Sequence, residues 1–468
     1  MEKKDIIDFY NSTAKEREKW NRRNSYYHKL LKRYFKFIVP PGRRVVEMGC
    51  GSGDLLAALE PCFGVGVDFA AEALAIGGEK HPKISFVEAD AEDDDMIGNF
   101  DYIVLSDLTT CLMDAQAAIR RLKPLCRPHT RVVISQYNYL WEPVIKLLQW
   151  LRLKQKAPAA NWFSMADTRA LLELEGFKVI REDRKMIMPV FVPLISAFCN
   201  RFLVNLPFFR HLGLVNIIVA RMLPKSERYL SVSIIIPVKN EEGNVENAIL
   251  RTPEFGAKQE FIYVDGRSTD NTLSEALRVQ LKHQERNVKV IQQTGWGKGN
   301  AVREGFGVAS GDILMILDAD MTTPPEDLPK FYRAICEGRG ELINGCRLVY
   351  PMEKNAMRFL NLVANKFFGH LFSYLLGQRV KDTLCGTKAL TRRNYETIRD
   401  NRGYFGDFDP FGDFDLLFGA AKQNFDIVDV IVRYRDREYG VSQISRFKHG
   451  WLLLKMCCFA IRKIKFTK

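Results

Sequence analysis

The stretch GDILMILDADMTTP, residues 311–324, joins an apolar strand to a pair of acidic side chains. Residues 313–317 are apolar without interruption, which is typical of a strand buried on both faces of a parallel sheet. Asp318 and Asp320 follow at a spacing of two, and residues at that spacing in an extended chain point to the same side. Ligands of open α/β sheets bind just beyond the strand ends, and paired carboxylates suit Mg²⁺ or Mn²⁺ together with substrate phosphates. The stretch therefore predicts an α/β fold with a metal site at the end of this strand.

A second strand runs into a glycine-rich loop far upstream, in VVEMGCGSGD at residues 45–54. The loop contains the glycines Gly49, Gly51 and Gly53. Glycine permits positive φ and lets the backbone approach a ligand closely. A dinucleotide site would need a further glycine where Asp54 stands, and Glu47 lies on the other side of the loop. Because two carboxylates repel a pyrophosphate, the loop favours a ligand that carries an ammonium and a sulfonium.

Strand-like and helix-like segments alternate around both stretches, which is typical of sheets with helices on their faces. We predict an α/β protein with two tandem doubly wound domains. The first occupies residues 1–225 and the second residues 233–445. Residues 226–232, which lack hydrophobic periodicity, are the predicted linker, and residues 446–468 form a basic, partly apolar C-terminal segment.

The composition is that of a globular protein, with 47% hydrophobic and 27% charged residues among 468. The net charge, 69 − 56 = +13, suits an anionic membrane surface, phosphorylated ligands or nucleic acid. We exclude nucleic acid as a partner because the basic residues flank apolar runs and no nucleic-acid-binding module is recognisable. The ten cysteines contain no C-x-x-C pair, so neither a zinc site of the usual spacing nor a disulfide framework is expected, and a reducing cytosol fits best.

No apolar run reaches the roughly 18 residues that a spanning helix needs. The longest, Met186–Cys199 and Trp451–Ile461, have the length of interfacial or core segments. Residues 446–468 hold seven lysines and arginines and no acid, which predicts a helix lying on an anionic bilayer. We therefore expect a cytoplasmic protein held peripherally on the cytoplasmic face of a membrane. Alternatively, this segment packs on a second apolar helix, at 355–376, as part of the core.

The pattern E-x-G-x-G-x-G at residues 47–53 is followed by acids at the ends of the next two strands, Asp68 and Asp90. In this combination residues 10–223 resemble class I S-adenosylmethionine-dependent methyltransferases. The resemblance implies that Asp68 binds the ribose hydroxyls of S-adenosylmethionine and that Asp90 and Ala91 face its adenine. The full cofactor-binding set that it implies is Glu47, Gly49, Gly51, Gly53, Asp68, Asp90 and Ala91.

Three segments of the second half precede the Asp318–Asp320 pair in a fixed order: SIIIPVKNEEGNVENAI, FIYVDGRSTDNT and GWGKGNAVREGF. Together with the acid pair they resemble family 2 glycosyltransferases of the GT-A fold, closest to the branch of dolichol-phosphate mannose synthase. The match runs from about residue 231 to 445. It departs from the family pattern at Gly266, where a second acid is common, and at Gln443, where lysine is usual.

This second resemblance implies a role for each matching residue. The donor nucleotide would be bound by Pro237, Glu241, Asp265 and Lys298. The divalent metal and the diphosphate would be bound by Asp318 and Asp320, with Arg347 neutralising a phosphate. Asp382 and Lys388 would face the acceptor.

The implied reaction is inverting, metal-dependent glycosyl transfer from a nucleotide sugar to a polyprenyl phosphate or related glycolipid. An ionised lipid phosphate needs no general base, whereas a hydroxyl acceptor would need one, and Asp413 or Asp415 is the candidate. Two alternatives stay open: the first domain is a non-catalytic binding or scaffold module, or the whole chain is a membrane scaffold with both sites vacant. The sequence leaves open the methyl acceptor, the sugar and the base.

Overall fold

The computed structural model describes residues 3–151, 154–155, 161–224, 229–350, 359–404, 412–437, 439 and 454–465, except the side chains of residues 359–361 and 413. The chain forms two compact units, Met1–Leu223 and Pro224–Lys468. Each unit contains one seven-stranded mixed sheet.

The sheet of the first unit has the strand order β3-β2-β1-β4-β5-β7-β6. Its strands are β1 (Arg44–Met48), β2 (Phe63–Asp68), β3 (Ser85–Glu88), β4 (Tyr102–Ser106), β5 (Arg131–Tyr137), β6 (Phe177–Lys185) and β7 (Val215–Met222). Its helices are α1 (Lys3–Arg23), α2 (Ser25–Ile38), α3 (Asp54–Ala58), α4 (Ala71–Lys80), α5 (Ala115–Arg121), α6 (Glu142–Trp150), α7 (Met165–Leu174) and α8 (Ile195–Arg201). Strand β7 runs antiparallel to both β5 and β6, and strands β1 to β5 are parallel.

Helices cover both faces of this sheet because successive strand residues point to opposite sides. Val45 and Val104 pack on one face with residues of α2 and α3. Val46 and Ile103 pack on the other face with residues of α5 and α7. The first unit is therefore doubly wound, as predicted, and the carboxyl ends of its parallel strands lie at one edge.

The sheet of the second unit has the strand order β10-β9-β8-β11-β13-β12-β14. Its strands are β8 (Val232–Val238), β9 (Gln259–Asp265), β10 (Val288–Gln292), β11 (Ile313–Ile316), β12 (Leu342–Cys346), β13 (Lys388–Thr391) and β14 (Ile427–Ile431). Its helices are α9 (Val245–Leu250), α10 (Thr272–Lys282), α11 (Lys298–Val308), α12 (Leu328–Cys336), α13 (Phe359–Leu376), α14 (Arg392–Asp400) and α15 (Asp413–Lys422). Strand β13 is antiparallel to both of its neighbours.

The strand in the opening stretch, β11, lies in the middle of this sheet, and all four of its residues are buried. The predicted strand at residues 313–317 and the alternation of strands and helices around it are confirmed from β8 to β12. The sequence did not predict β13 or β14. The tandem α/β architecture is confirmed, with a mixed rather than purely parallel sheet in each unit.

Residues 454–465 are the described part of the predicted C-terminal segment, and they are helical. Five of their side chains are buried: Met456, Cys457, Ala460, Ile464 and Lys465. The Lys465 ammonium lies 4.9 Å from the ring centre of Tyr374 in α13, and the Tyr404 hydroxyl donates to the Lys463 carbonyl (2.8 Å). This stretch therefore packs against the second unit. Within the described ranges no helix combines the length and the hydropathy needed to cross a bilayer.

Candidate active sites

The three glycines of the first loop all have left-handed backbone conformations, with φ of 69° at Gly49, 54° at Gly51 and 70° at Gly53. A Cβ atom at Gly49 would lie 2.7 Å from Leu108 Cδ1, and one at Gly53 would lie 2.8 Å from the Phe86 ring. A Cβ atom at Gly51 would meet no atom within 4 Å. Packing therefore requires glycine at two of the positions, whereas the space next to Gly51 is open to a ligand.

Asp68 lies beside this loop at the end of β2. Its carboxylate accepts hydrogen bonds from the backbone N–H groups of Gly51 (2.8 Å) and Ala70 (2.9 Å). Burial raises the pKa of Asp68 above its usual value, although these N–H groups oppose the shift. Each carboxylate oxygen can accept two hydrogen bonds, so Asp68 keeps acceptor capacity for a ligand hydroxyl.

Glu47 is buried in β1 and accepts a hydrogen bond from the Leu56 N–H of α3 (3.0 Å). Burial raises the pKa of Glu47 to about 8. The side chain is therefore mostly protonated at neutral pH in the absence of a cation. This hydrogen bond connects β1 to α3, so Glu47 also helps to hold the helix in place.

Helix α1 lies over the loops that contain the predicted cofactor residues. Lys3 forms ion pairs with Asp90 (Nζ–Oδ2, 2.8 Å) and Asp93 (2.6 Å), and Glu18 accepts a hydrogen bond from the Ser52 hydroxyl (2.7 Å). The Asp90 Oδ1 atom accepts from the Glu92 N–H (2.8 Å). Ala91, predicted to face adenine, is buried. The predicted cofactor residues thus gather at one edge of the sheet, beneath α1.

Asp107, which the sequence analysis did not select, lies directly after β4 at the same edge. It adopts φ of 57°, which is uncommon for a residue other than glycine. Its carboxylate accepts hydrogen bonds from the Tyr27 hydroxyl (2.8 Å) and the Ser135 hydroxyl (3.2 Å), and burial raises its pKa. The next residue, Leu108, is the one that touches Gly49, so this acid lies close to the glycine loop.

In the second unit, Asp318 forms an ion pair with Lys298 at the start of α11 (Oδ1–Nζ, 2.5 Å). Burial opposes ionisation of Asp318, but the positive charges of Lys298, Arg347 and Lys388 outweigh it and lower the pKa. Gly386 packs directly against the Asp318–Lys298 pair, because a Cβ atom at this position would overlap both side chains. Asp318 therefore lies in an environment of positive charge.

The other acid of the pair, Asp320, contacts a different cation. Its Oδ2 atom lies 2.6 Å from Nη2 of Arg437, and its Oδ1 atom accepts from the Thr322 N–H (3.1 Å). The same guanidinium contacts Glu241 (Nη1–Oε1, 3.2 Å), which also accepts from Asn244 (2.6 Å). Burial raises the pKa of Glu241, although Asn244 and Arg437 oppose the shift. Arg437 thus connects a predicted donor residue to a predicted metal ligand.

The predicted base-and-ribose residues lie at neighbouring strand ends. Asp265 ends β9, is buried, and accepts from the N–H groups of Arg267 (3.1 Å) and Ser268 (3.2 Å). Pro237 in β8 pairs with Val264, one residue before Asp265. Both residues therefore lie at the edge of the sheet to which β11 leads.

Arg347 and Asp382 form a buried bidentate ion pair (Nε–Oδ2, 2.8 Å; Nη2–Oδ1, 2.9 Å). Burial opposes ionisation of Asp382, and Arg347 lowers its pKa nevertheless. Lys388 in β13 is also buried and donates to the Cys385 carbonyl. Hydrogen bonds within the protein therefore hold the charged groups of the predicted acceptor-side residues, Asp382 and Lys388, in fixed positions.

Asp415, the candidate base, lies in α15 and contacts Arg402 (Oδ2–Nε, 2.8 Å) and, at 3.9 Å, Arg303 of α11. These contacts connect α15 to two neighbouring segments. The side chain of Asp413 and the residue Gln443 lie outside the described part of the structure. Within the described part, no three histidine, cysteine, aspartate or glutamate side chains gather as a metal-binding group.

The fold and these two sites define a chain with two transferase domains. Residues 20–182 match the family model "Methyltransferase domain", and residues 233–398 match "Glycosyl transferase family 2". The chain is therefore a fusion of a methyltransferase domain with a family 2 glycosyltransferase domain, and both resemblances inferred from the sequence are confirmed.

Two curated relatives of the chain are sugar transferases by name. One is the undecaprenyl-phosphate 4-deoxy-4-formamido-L-arabinose transferase of Proteus mirabilis, with 34% identity over 47% of this chain and 65% of the relative. Another is the dolichol-phosphate mannosyltransferase of Pyrococcus furiosus, with 38% identity over 26% of this chain and 34% of the relative. The chain spans less than two thirds of either relative. Among solved structures, a methyltransferase of Thermotoga maritima, described as a possible histamine N-methyltransferase, has 15% identity and a TM-score of 0.38, covering 46% of this chain and 99% of that one.

Proposed function

We propose that the protein is a bifunctional enzyme. Residues 1–225 transfer a methyl group from S-adenosylmethionine, and residues 233–445 transfer a glycosyl group from a nucleotide sugar to a polyprenyl phosphate or related glycolipid. The names of the two curated relatives, both transferases of polyprenyl-phosphate sugars, support the acceptor class. The observation that carries the proposal is the Asp318–Lys298 ion pair beyond β11, to which the buried cations Arg347 and Lys388 add positive charge, because a diphosphate and a lipid phosphate both need positive charge at that position.

Asp318 and Asp320 suit a divalent cation. Mg²⁺ and Mn²⁺ are commonly held by one or two carboxylates, with substrate phosphates and water completing the coordination, so a third protein ligand is not required. When bound, the cation would stabilise the negative charge of the leaving nucleotide diphosphate. The two carboxylates, Asp318 and Asp320, are therefore sufficient as protein ligands for Mg²⁺ or Mn²⁺.

The chain's own residues supply the remaining charge. Arg347 is held by Asp382, so its guanidinium keeps one orientation and needs no reorganisation during the reaction. Lys298 begins α11, and a helix N-terminus favours phosphate oxygens. Pro237, Glu241 and Asp265 would bind the nucleoside. Because an ionised lipid phosphate needs no general base, Asp415 can remain in its contacts with Arg402 and Arg303.

In the methyltransferase domain, the open space at Gly51 and the acceptor capacity of Asp68 support cofactor binding at the glycine loop. S-Adenosylmethionine supplies the electrophilic methyl group. Asp107 is held by Tyr27 and Ser135 near the loop, and it would accept a hydrogen bond from the nucleophilic group of the methyl acceptor. Glu47, Asp90 and Ala91 complete the proposed cofactor set.

We place the enzyme peripherally on the cytoplasmic face of a membrane, since a polyprenyl phosphate resides in the bilayer. The basic segment 446–468 would contribute by charge, because the apolar side chains of its described part are largely turned inward.

Two measurements on the full chain test the proposal. Glycosyl transfer is assayed with undecaprenyl phosphate and a panel of nucleotide sugars, with Mn²⁺ or with EDTA. Binding of S-adenosylmethionine and of NAD is measured by calorimetry. We expect metal-dependent transfer from one donor and binding of S-adenosylmethionine only. Transfer at full rate in EDTA, or tighter binding of NAD, would contradict the respective half of the proposal.

A further inference from the structure

Helix α8 has the reverse of the amphipathic pattern expected at the surface of a water-soluble protein. It belongs to an insert, residues 186–214, between β6 and β7. Ser196 and Asn200 of α8 are buried, whereas Phe198 is 58% exposed, and Leu194 just before the helix is 87% exposed. A surface helix normally turns its apolar side inward. Here the polar side faces the protein and the apolar side faces outward.

The buried polar side chains fix this orientation. Asn200 Oδ1 accepts hydrogen bonds from the N–H groups of Ile187 and Met188 (2.9 Å each), and its amide donates to the Met188 carbonyl (2.7 Å). Ser196 donates to the Val192 carbonyl (2.8 Å). Rotating the helix to bury its phenylalanine would leave these groups without their partners, which is costly for buried polar atoms. The outward apolar face is therefore a stable feature of the insert.

The outward face is extensive. Leu194, Phe198 and Phe202 recur every fourth residue and so lie along one stripe. Leu194 has φ of 64°, a strained conformation for leucine. Other large apolar side chains of the insert are also exposed: Val190, Phe191, Ile195, Leu206, Phe208 and Leu212. The rings of Phe198 and Phe202 lie side by side, with their centres 6.1 Å apart, and adjacent exposed apolar side chains of this kind mark an interaction site.

The charge of this region identifies the kind of partner. The insert, residues 186–214, contains the two arginines Arg201 and Arg210 and neither aspartate nor glutamate. Apolar side chains among basic ones suit the interface of an anionic bilayer. A second copy of the chain would bring two basic surfaces together, which is unfavourable. Helix α8 has seven residues and is too short to span a bilayer.

The insert lies at the cofactor edge of the first sheet. Strand β6 is antiparallel to β7, which is antiparallel to β5, so β6 ends at the same edge as β5 and the insert begins there. Asn138, just after β5, donates to the Gly213 carbonyl (2.8 Å). The Phe191 ring lies 5.4 Å from the ring of Tyr26, the neighbour of the tyrosine that holds Asp107.

From these observations we propose that residues 190–212 dock the methyltransferase domain on an anionic lipid surface by interfacial insertion of the apolar stripe. This contact is separate from the C-terminal segment 446–468. The proposal depends on the reversed polarity of α8 and not on the identity of the glycosyl acceptor. If the chain binds vesicles but transfers no sugar, the docking proposal is still supported and the proposed glycosyl transfer is not.

The test is flotation of the full chain with vesicles of phosphatidylcholine containing phosphatidylglycerol. The double variant Phe198→Ser/Phe202→Ser removes two outward rings. The matched control, Leu250→Ser/Leu281→Ser, removes two exposed leucines of the second unit, which are 62% and 72% exposed. We expect the first variant to lower the vesicle partition coefficient roughly tenfold or more, since each inserted ring contributes apolar burial. The control should bind as wild type does. Vesicles of phosphatidylcholine alone should bind the wild type less.

The same variants combined with Lys455→Gln/Arg462→Gln in the full chain separate the insert from the C-terminal segment, and a loss of binding by the insert variant in both backgrounds would support the proposal. Wild-type chain that fails to float, or an insert variant that floats like wild type, would overturn it. The proposal would also be wrong if the insert variant melts several degrees lower without lipid, since its rings would then be buried by protein. If the variant instead dissociates an oligomer in gel filtration and leaves vesicle binding unchanged, the face is a contact between copies of the chain.

Discussion

The Arg437 guanidinium lies 2.6 Å from the Asp320 carboxylate, so a predicted metal ligand is already paired with a cation of the protein. Arg437 follows β14 in the chain, and the nearby Arg435 N–H donates to the Thr322 carbonyl, two residues beyond Asp320 (3.0 Å). The segment after β14 therefore lies directly beside the acid pair. Under the proposed assignment, Arg437 would compete with the divalent cation for Asp320.

Replacing Arg437 by glutamine should strengthen binding of Mn²⁺ in the absence of nucleotide. The ion pair with Asp320 has to be broken when the metal binds, and a pair of this kind contributes about 1 kcal/mol, which corresponds to roughly fivefold in affinity. Titration of Mn²⁺ followed by electron paramagnetic resonance measures the effect. Arg251→Gln, which removes an arginine paired with Glu326 instead, is the control. Unchanged Mn²⁺ affinity in Arg437→Gln would show that the arginine does not occupy the metal position.

Replacing Asp320 by asparagine should lower glycosyl transfer by at least about 100-fold, the scale of one lost contact to transition-state charge. The variant should still fold. Because Asp320 is paired with Arg437 and does not face an unpaired Asp318, we expect a loss of roughly 1 kcal/mol in stability. Metal with nucleotide diphosphate should raise the melting temperature of the wild type and leave that of the variant nearly unchanged. Wild-type turnover by Asp320→Asn would exclude a metal role for this acid.

Glu47 should make the methyltransferase domain less stable as the pH rises. Its folded-state pKa is about 8, above the value of 4.5 for an exposed glutamate. The folded state therefore holds the proton more tightly, so the stabilisation from this proton is complete below pH 4.5 and is lost as the pH rises through 8. Glu47→Gln keeps an acceptor for the Leu56 N–H but has no proton to lose. Its advantage in unfolding free energy should grow between pH 5 and pH 8 to the order of a few kcal/mol.

Thermal melts of wild type and Glu47→Gln across this pH range measure the effect. Glu60→Gln provides the comparison, since Glu60 pairs with Lys36 at the surface. A constant difference between Glu47→Gln and wild type at all pH values would show that Glu47 is ionised in the folded chain.

Replacing Gly51 by alanine should abolish cofactor binding while leaving the domain folded. A Cβ atom there enters open space, and the cost in stability is that of a left-handed alanine, about 1–2 kcal/mol. Gly176→Ala is a matched control, since Gly176 also has positive φ and an open surrounding, but lies before β6, away from the loop. Both variants should melt a few degrees below wild type, and only Gly51→Ala should lose the thermal shift with S-adenosylmethionine. An equal shift in the two would place the cofactor elsewhere.

The fold class could be predicted from the sequence because apolar strands, glycine loops and acids at strand ends are local patterns. Strand β13, with the sequence KALT, was not predictable in this way, because it carries a lysine that is buried only when the strand pairs with the sequence-distant strands β11 and β12. Asp107 could have been predicted, because it follows the apolar strand β4 directly, in the sequence SDL at residues 106–108, just as Asp68 lies at the end of β2.

The partners of the site residues could not be predicted from the sequence. Arg437 is 117 residues from Asp320 along the chain, and no spacing rule connects them. The reversed polarity of α8 was equally hidden, since the length of Met186–Cys199 fits an interfacial and a core segment alike. The exposure of Phe198 together with the burial of Ser196 and Asn200 distinguishes the two.

Under the proposed assignment, the ion pairs Asp318–Lys298 and Asp320–Arg437 influence the order in which the divalent cation and the nucleotide sugar bind. A divalent cation arriving alone must break both ion pairs, although Arg437 keeps its contact with Glu241. A cation arriving with a diphosphate exchanges partners instead, because the phosphate oxygens receive the displaced lysine and arginine. Metal and nucleotide sugar should therefore bind cooperatively, each raising the affinity of the other by the same factor. Such a site would bind free metal more weakly than metal that arrives together with the donor.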